Sequence, residues 1–96
     1  MKIVIREQVD ADLNRIFEWI AKDCPRAATE IIRRIRQRIG RLATPGLEHM
    51  GRPGLDEGTR ELVEPPYLIV YEVHEAQEEI EVLYIVHAAQ NREGEF

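Results

Sequence analysis

The residues able to do chemistry in this 96-residue chain are few, and their spacing excludes more than it suggests. His49, His74 and His87 fall in a loop and at two strand ends, without the helical or hairpin spacing that gathers metal ligands, so no metal site is expected. Serine is absent and Cys24 stands alone before Pro25, which leaves acyl transfer without a good nucleophile and excludes an internal disulfide. Gly51-Arg52-Pro53-Gly54 contains proline and precedes a strand instead of a helix, so it does not read as a phosphate cradle. No cofactor is expected. What remains is a set of polar residues near strand ends, Arg60, His87, Gln90 and Arg92, whose chemistry would be phosphate contact and proton transfer. The bland alternative is that Arg60 pairs with a nearby carboxylate and His87 caps the sheet edge.

Positioning those residues requires a single domain spanning residues 1–96, since the length leaves no room for a second core. Apolar residues make up 44% and charged residues 32%, which is typical of a folded domain. The apolar runs Ile3 to Ile5, Leu68 to Tyr71 and Val82 to Val86 fall far short of the ~20 residues of a membrane helix. With one lysine and three apolar residues before Arg6, no signal peptide is read, and a cytoplasmic location without membrane association is expected. The net charge of −5 is unevenly spread. Residues 1–42 hold ten Lys/Arg against six Asp/Glu, a balance of +4, and residues 43–96 hold three against twelve, a balance of −9.

Lys2 to Arg6 reads as a strand, with Asp10 and Asp12 placed to cap and charge the start of a helix. Val9, Leu13, Ile16, Phe17 and Ile20 then form one apolar stripe, and Trp19 flanks it as a candidate partner contact. Pro25 ends this helix and opens a second one. There Ala28, Ile31, Ile32, Ile35, Ile39 and Leu42 share a face, and Arg26, Glu30 and Arg34 form four-residue pairs outside it. Arg33, Arg34, Arg36, Arg38 and Arg41 scatter over three sides of this helix, either as a solvated surface or as a dock for an acidic one. Residues 43–58 hold four of the six glycines and read as a long loop.

Three strands follow, Thr59 to Glu64, Tyr67 to His74 and Ile80 to His87, in an antiparallel meander. Simple alternation sets Leu68 and Val70 against Tyr67, Ile69, Tyr71 and Val73, and Leu83 and Ile85 against Val82, Tyr84 and Val86. Both sheet faces are thus apolar, and because two helices cover only one, the other should receive a partner segment. The fold class expected is α+β, in the order β-α-α-β-β-β, with a helical hairpin on a small antiparallel sheet.

Gly51-Arg52-Pro53-Gly54, Gly58-Thr59-Arg60-Glu61-Leu62-Val63, Pro66-Tyr67-Leu68-Ile69-Val70-Tyr71 and Val86-His87-Ala88-Ala89-Gln90 occur in this order, with Ala27-Ala28 after Pro25. Together they resemble the ParE/RelE superfamily of type II toxins over nearly the whole chain, and the ParE (plasmid stabilisation) branch more than the RelE branch. The resemblance implies a toxin neutralised by a cognate ParD-like antitoxin. ParE members are described as poisons of DNA gyrase, and RelE members as ribosome-dependent mRNA endonucleases.

Where RelE-like nucleases carry an arginine after the middle-strand tyrosine this chain has Leu68; where they carry one after the last strand it has Gln90. Phe96 stands about where they carry a proton-exchanging tyrosine. The acidic half would also repel an RNA backbone. The resemblance therefore favours inhibition of gyrase by protein binding, without catalysis, and DNA contact only through the antitoxin. Arg52, Arg60, His87, Gln90 and Arg92 are the target-facing candidates. Trp19, Leu68, Val70, Leu83 and Ile85 are the antitoxin-facing ones. The alternatives are a metal-free ribonuclease using Arg60, His87 and Arg92, and an inert antitoxin-binding relative.

Overall fold

A β-branched N-terminal run gives β1 (Lys2–Ile5), and the chain turns directly from it into α1 (Glu7–Ala21) and then α2 (Pro25–Arg41). A long connection carries the two-residue β2 (Arg52–Pro53), followed by β3 (Arg60–Glu64), β4 (Tyr67–His74), a single 3₁₀ turn over Glu75–Gln77, and β5 (Glu79–His87). The computed structural model describes residues 1–89, so Gln90, Arg92 and Phe96 lie outside the described residues.

The helical hairpin forms at Pro25. Cys24 is extended, at φ −154° and ψ 96°, and proline takes the first helical position, where no N–H is needed. Cys24 itself is exposed. On the outer side of α2, Glu30 binds Arg33 at 2.6 Å and Arg34 at 3.2 Å.

Helix α1 begins earlier than the aspartates suggest. Arg6 is its N-cap, and Glu7 and Asp10 lie in the first turn, where negative charge complements the helix dipole. Asp12 is no cap: it sits a turn further on and is only 2% exposed. Its Oδ2 accepts the Ile85 backbone N–H at 2.9 Å, and its Oδ1 accepts from Gln8 Nε2 at 2.8 Å and Arg15 Nη2 at 3.0 Å. The reason lies in the sheet. β1 accompanies β5 only from Glu79 to Val82, so further along β5 that edge has no strand to accept its N–H groups. Asp12 supplies the missing acceptor and locks α1 to β5.

The sheet has the order β1-β5-β4-β3-β2. It is mixed: β2 to β5 form antiparallel neighbours, while β1 runs parallel to β5, so the purely antiparallel sheet expected above is corrected. A second correction follows from an irregularity in the β4–β5 ladder. Val70 pairs with Tyr84 but Tyr71 pairs with Val82, leaving Leu83 as an extra residue. Alternation therefore breaks at Leu83, and Ile85 falls on the same face as Ile69, Val82 and Ile80.

That face meets the helices. Val9, Leu13 and Ile16 from α1, Ile35 and Ile39 from α2, Leu42 just beyond it, and Leu62, Tyr67, Ile69, Tyr71, Ile80, Val82 and Ile85 from the sheet form one buried cluster. Phe17 is exposed, so the buried stripe of α1 is narrower than its apolar residues suggest. The long connection is pinned to the sheet at Gly51, whose N–H donates to the Tyr71 hydroxyl at 3.1 Å. A Cβ at Gly51 would stand 2.6 Å from the Glu61 carbonyl oxygen, so only glycine permits this approach.

Candidate functional site

At one end of the sheet, Arg60 and Arg52 flank the glycine-rich connection. Arg60 lies in β3 opposite Tyr71, and its Nη2 donates to the carbonyls of His49, at 2.9 Å, and Gly51. Its Nε is buried without a hydrogen-bond partner among the described residues. The guanidinium thus ties the 49–51 segment to the sheet. Arg52 Nε meets Glu61 Oε1 at 2.7 Å across the β2–β3 pair, with the glutamate buried and the arginine half-exposed.

His87 occupies the opposite end. It pairs with Tyr67 on β4, whereas Arg60 pairs with Tyr71 from the other side of that strand. The two positions lie four residue steps apart on β4, about 13 Å along the strand. The His87 ring stands edge-on to Tyr67, with centroids 5.6 Å apart and planes at 82°, and its Nδ1 accepts the Ala89 N–H at 3.2 Å. Burial pushes the Tyr67 hydroxyl above its usual titration range. Tyr84 is pushed the same way, by burial first and then by the charges of Asp56 and Glu61. Neither phenol is poised to act as a base at neutral pH.

The arrangement therefore does not gather Arg60 and His87 around one phosphate. It does gather His87 with residues from the antitoxin-facing set. Trp19, Ile85 and His87, with Arg15, Ile16, Tyr67 and Ala89, line a groove of about 390 Å³ between α1 and the far end of β4 and β5. Trp19 is 70% exposed on its rim, with Lys22 Nζ 5.3 Å from the ring centroid in a cation–π contact. Arg15, Ile16 and Tyr67 were not singled out by sequence reasoning. The only available signal was that Arg15 and Ile16 precede Trp19 by one helical turn.

The remaining antitoxin-facing candidates are placed differently from expectation. Ile85 faces the helices and only its buried side underlies the groove. Leu68, Val70 and Leu83 are 1%, 3% and 8% exposed, so this stretch of the second sheet face is already covered within the chain.

Two further clusters appear only in three dimensions. Arg34, Arg38 and Arg41, which the helix wheel scatters, line one shallow groove with Gln37, Thr44 and Glu64. Arg38 Nε reaches Glu64 at 3.4 Å and its Nη2 donates to the Val63 carbonyl at 3.1 Å. On the β4–β5 pair, His74 is brought together with Glu72 and Glu81, their donor atoms all within 4.8 Å of one another. Strand register assembles a set that linear spacing cannot show.

Comparison with known proteins bears on the family and the fold. A family profile described as "ParE toxin of type II toxin-antitoxin system, parDE" matches residues 3–92. A protein of Sinorhizobium fredii (strain NBRC 101917 / NGR234) named "Putative toxin Y4kP" is 38% identical over 80 residues, covering 81% of this chain and 78% of that one. A structure titled "Chromosomal ParDE TA system from P. aeruginosa" superposes with a TM-score of 0.78 at 24% identity, covering 91% of this chain and 95% of its own. A chain of the toxin–antitoxin complex RelBE2 from Mycobacterium tuberculosis shares the fold more distantly, with a TM-score of 0.57 at 19% identity over 90% of this chain and 95% of that one. With two helices on a five-stranded sheet and a family match over almost its full length, this chain belongs to the ParE toxins of type II toxin–antitoxin systems.

Proposed function

We propose that this toxin acts by binding proteins and not by cutting RNA: it inhibits DNA gyrase in the cytoplasm and is neutralised by a ParD-like antitoxin. The observation that carries the reading is the placement of Arg60. A metal-free ribonuclease needs a cation and a proton carrier on the same phosphate. Here Arg60 is spent on two loop carbonyls and lies on the other side of β4 from His87. Leu68, standing where the nucleases have an arginine, is buried in the sheet. Gyrase as the target rests on membership of the ParE family.

The antitoxin's tail would fold on binding, placing a helix against the helical hairpin and an extended segment along the sheet. Trp19 and the groove it rims suit the helix. β1 suits the extended segment: it is an edge strand of the sheet, and its exposed Ile5 lines an apolar groove with Ile3, Val9, Leu13 and Ile39. The opposite edge, β2, is two residues long and contains Pro53, a poor template for strand addition. DNA would be contacted only through the antitoxin.

The two mechanisms separate on induction of the toxin without its antitoxin. Primer extension on translated mRNA should show no new ends while growth stops. Codon-positioned ends that vanish in Arg60→Ala or His87→Ala variants would establish the nuclease instead.

A further inference from the structure

At the end of the second sheet face away from His87, Glu72, His74 and Glu81 form an arrangement outside the contacts proposed above. Glu72 on β4 stands directly opposite Glu81 on β5, and His74 stands opposite Glu79. Carboxylates facing each other across a strand pair repel, and such pairs weaken a sheet unless something positive lies between them. Part of the compensation is visible. His74 Nε2 lies 3.0 Å from Glu81 Oε1, and Arg6 Nε binds the other oxygen, Oε2, at 2.5 Å. Glu72 receives none of it: its side chain is half-buried and makes no hydrogen bond or ion pair among the described residues.

We propose that Glu72, His74 and Glu81 form a binding site for a divalent transition-metal ion of the zinc type. One imidazole nitrogen and two carboxylate oxygens are a donor set that zinc accepts, leaving a fourth position for water. Two donors each about 2.0–2.2 Å from a tetrahedral ion stand roughly 3.4 Å apart. The His74 to Glu81 separation of 3.0 Å already approaches this, and all three donor atoms lie within 4.8 Å. Arg6 holds Oε2 of Glu81 and leaves Oε1 turned toward the imidazole, the kind of outer support that orients a ligating carboxylate. Gly58 borders the site, since a Cβ placed there would lie 3.9 Å from Glu72 Oε2, and the absent side chain keeps the approach open. An ion here would remove the Glu72–Glu81 repulsion and cross-link the β4 and β5 ends beside the residue that follows β1.

The test is calorimetric titration of the chelator-treated full chain with zinc chloride at pH 7. The expected result is one ion per chain with micromolar affinity, and at least tenfold weaker binding in Glu72→Gln and in His74→Gln. His49→Gln, which alters an exposed histidine paired with Glu75, should bind as the parent does. On the unaltered chain, the imidazole carbon–proton signals of His74 should move on zinc addition, with those of His49 and His87 still. Absence of saturable binding overturns the proposal, as does undiminished affinity in His74→Gln or a response centred on His49 or His87.

Discussion

Asp12 shows how a residue's type can be legible and its role hidden. Its position near a helix start fits an N-terminal charge, yet it is the acceptor for Ile85, 73 positions away. Nothing in the local sequence announces that β1 is too short to cover β5 at that point. Asp12→Ala should cost about 2–3 kcal/mol in urea denaturation, because it leaves a buried N–H without an acceptor. Asp12→Asn, which keeps one oxygen, should cost less. Arg60 and His87 were legible as polar residues near strand ends, but their separation follows from pairing register, which the meander alone does not reveal. Glu81 offers a test at the same scale. Arg6 first, and then His74, hold its carboxyl below the ordinary value of 4.5. The unfolded chain therefore takes up this proton at higher pH than the native one. The contribution to stability is present above about pH 4.5 and is lost as pH falls through the native value. Denaturation midpoints between pH 5 and pH 3 should fall less steeply in Glu81→Gln than in the parent.

The elements themselves were largely readable, because periodicity and punctuation act locally. Pro25 marks the hairpin, the apolar steps of α2 match its buried face, and β4 runs over the residues expected of it. Two features escaped. A four-residue strand carries too little pattern to specify its neighbour, so the parallel pairing of β1 with β5 was not foreseen. The extra residue at Leu83 inverts the alternation of β5, which turned Ile85 from a presumed surface contact into core. Trp19 is the antitoxin-facing candidate that remains exposed on a regular element. Trp19→Ala should change unfolding free energy by no more than about 0.5 kcal/mol, since the side chain touches little of the core. The same variant should weaken antitoxin binding at least tenfold in titration calorimetry, as a large aromatic anchor on a groove rim would.

Over the whole molecule, the charge division of +4 and −9 maps onto the architecture. Among the described residues, most of the arginines lie on the helical hairpin, three of them along one groove, and most of the carboxylates lie on the strands and their loops. A sheet half of this sign is a poor surface for an RNA backbone. Under the proposed function, toxicity arises from a protein–protein contact with gyrase. That contact is tested most directly by adding the purified toxin to gyrase, relaxed plasmid and ATP and following supercoiling. The predicted result is loss of supercoiling as toxin approaches the enzyme concentration, with recovery when an equimolar amount of the antitoxin is included. Full supercoiling at a large excess of folded toxin that still binds its antitoxin would remove gyrase as the target.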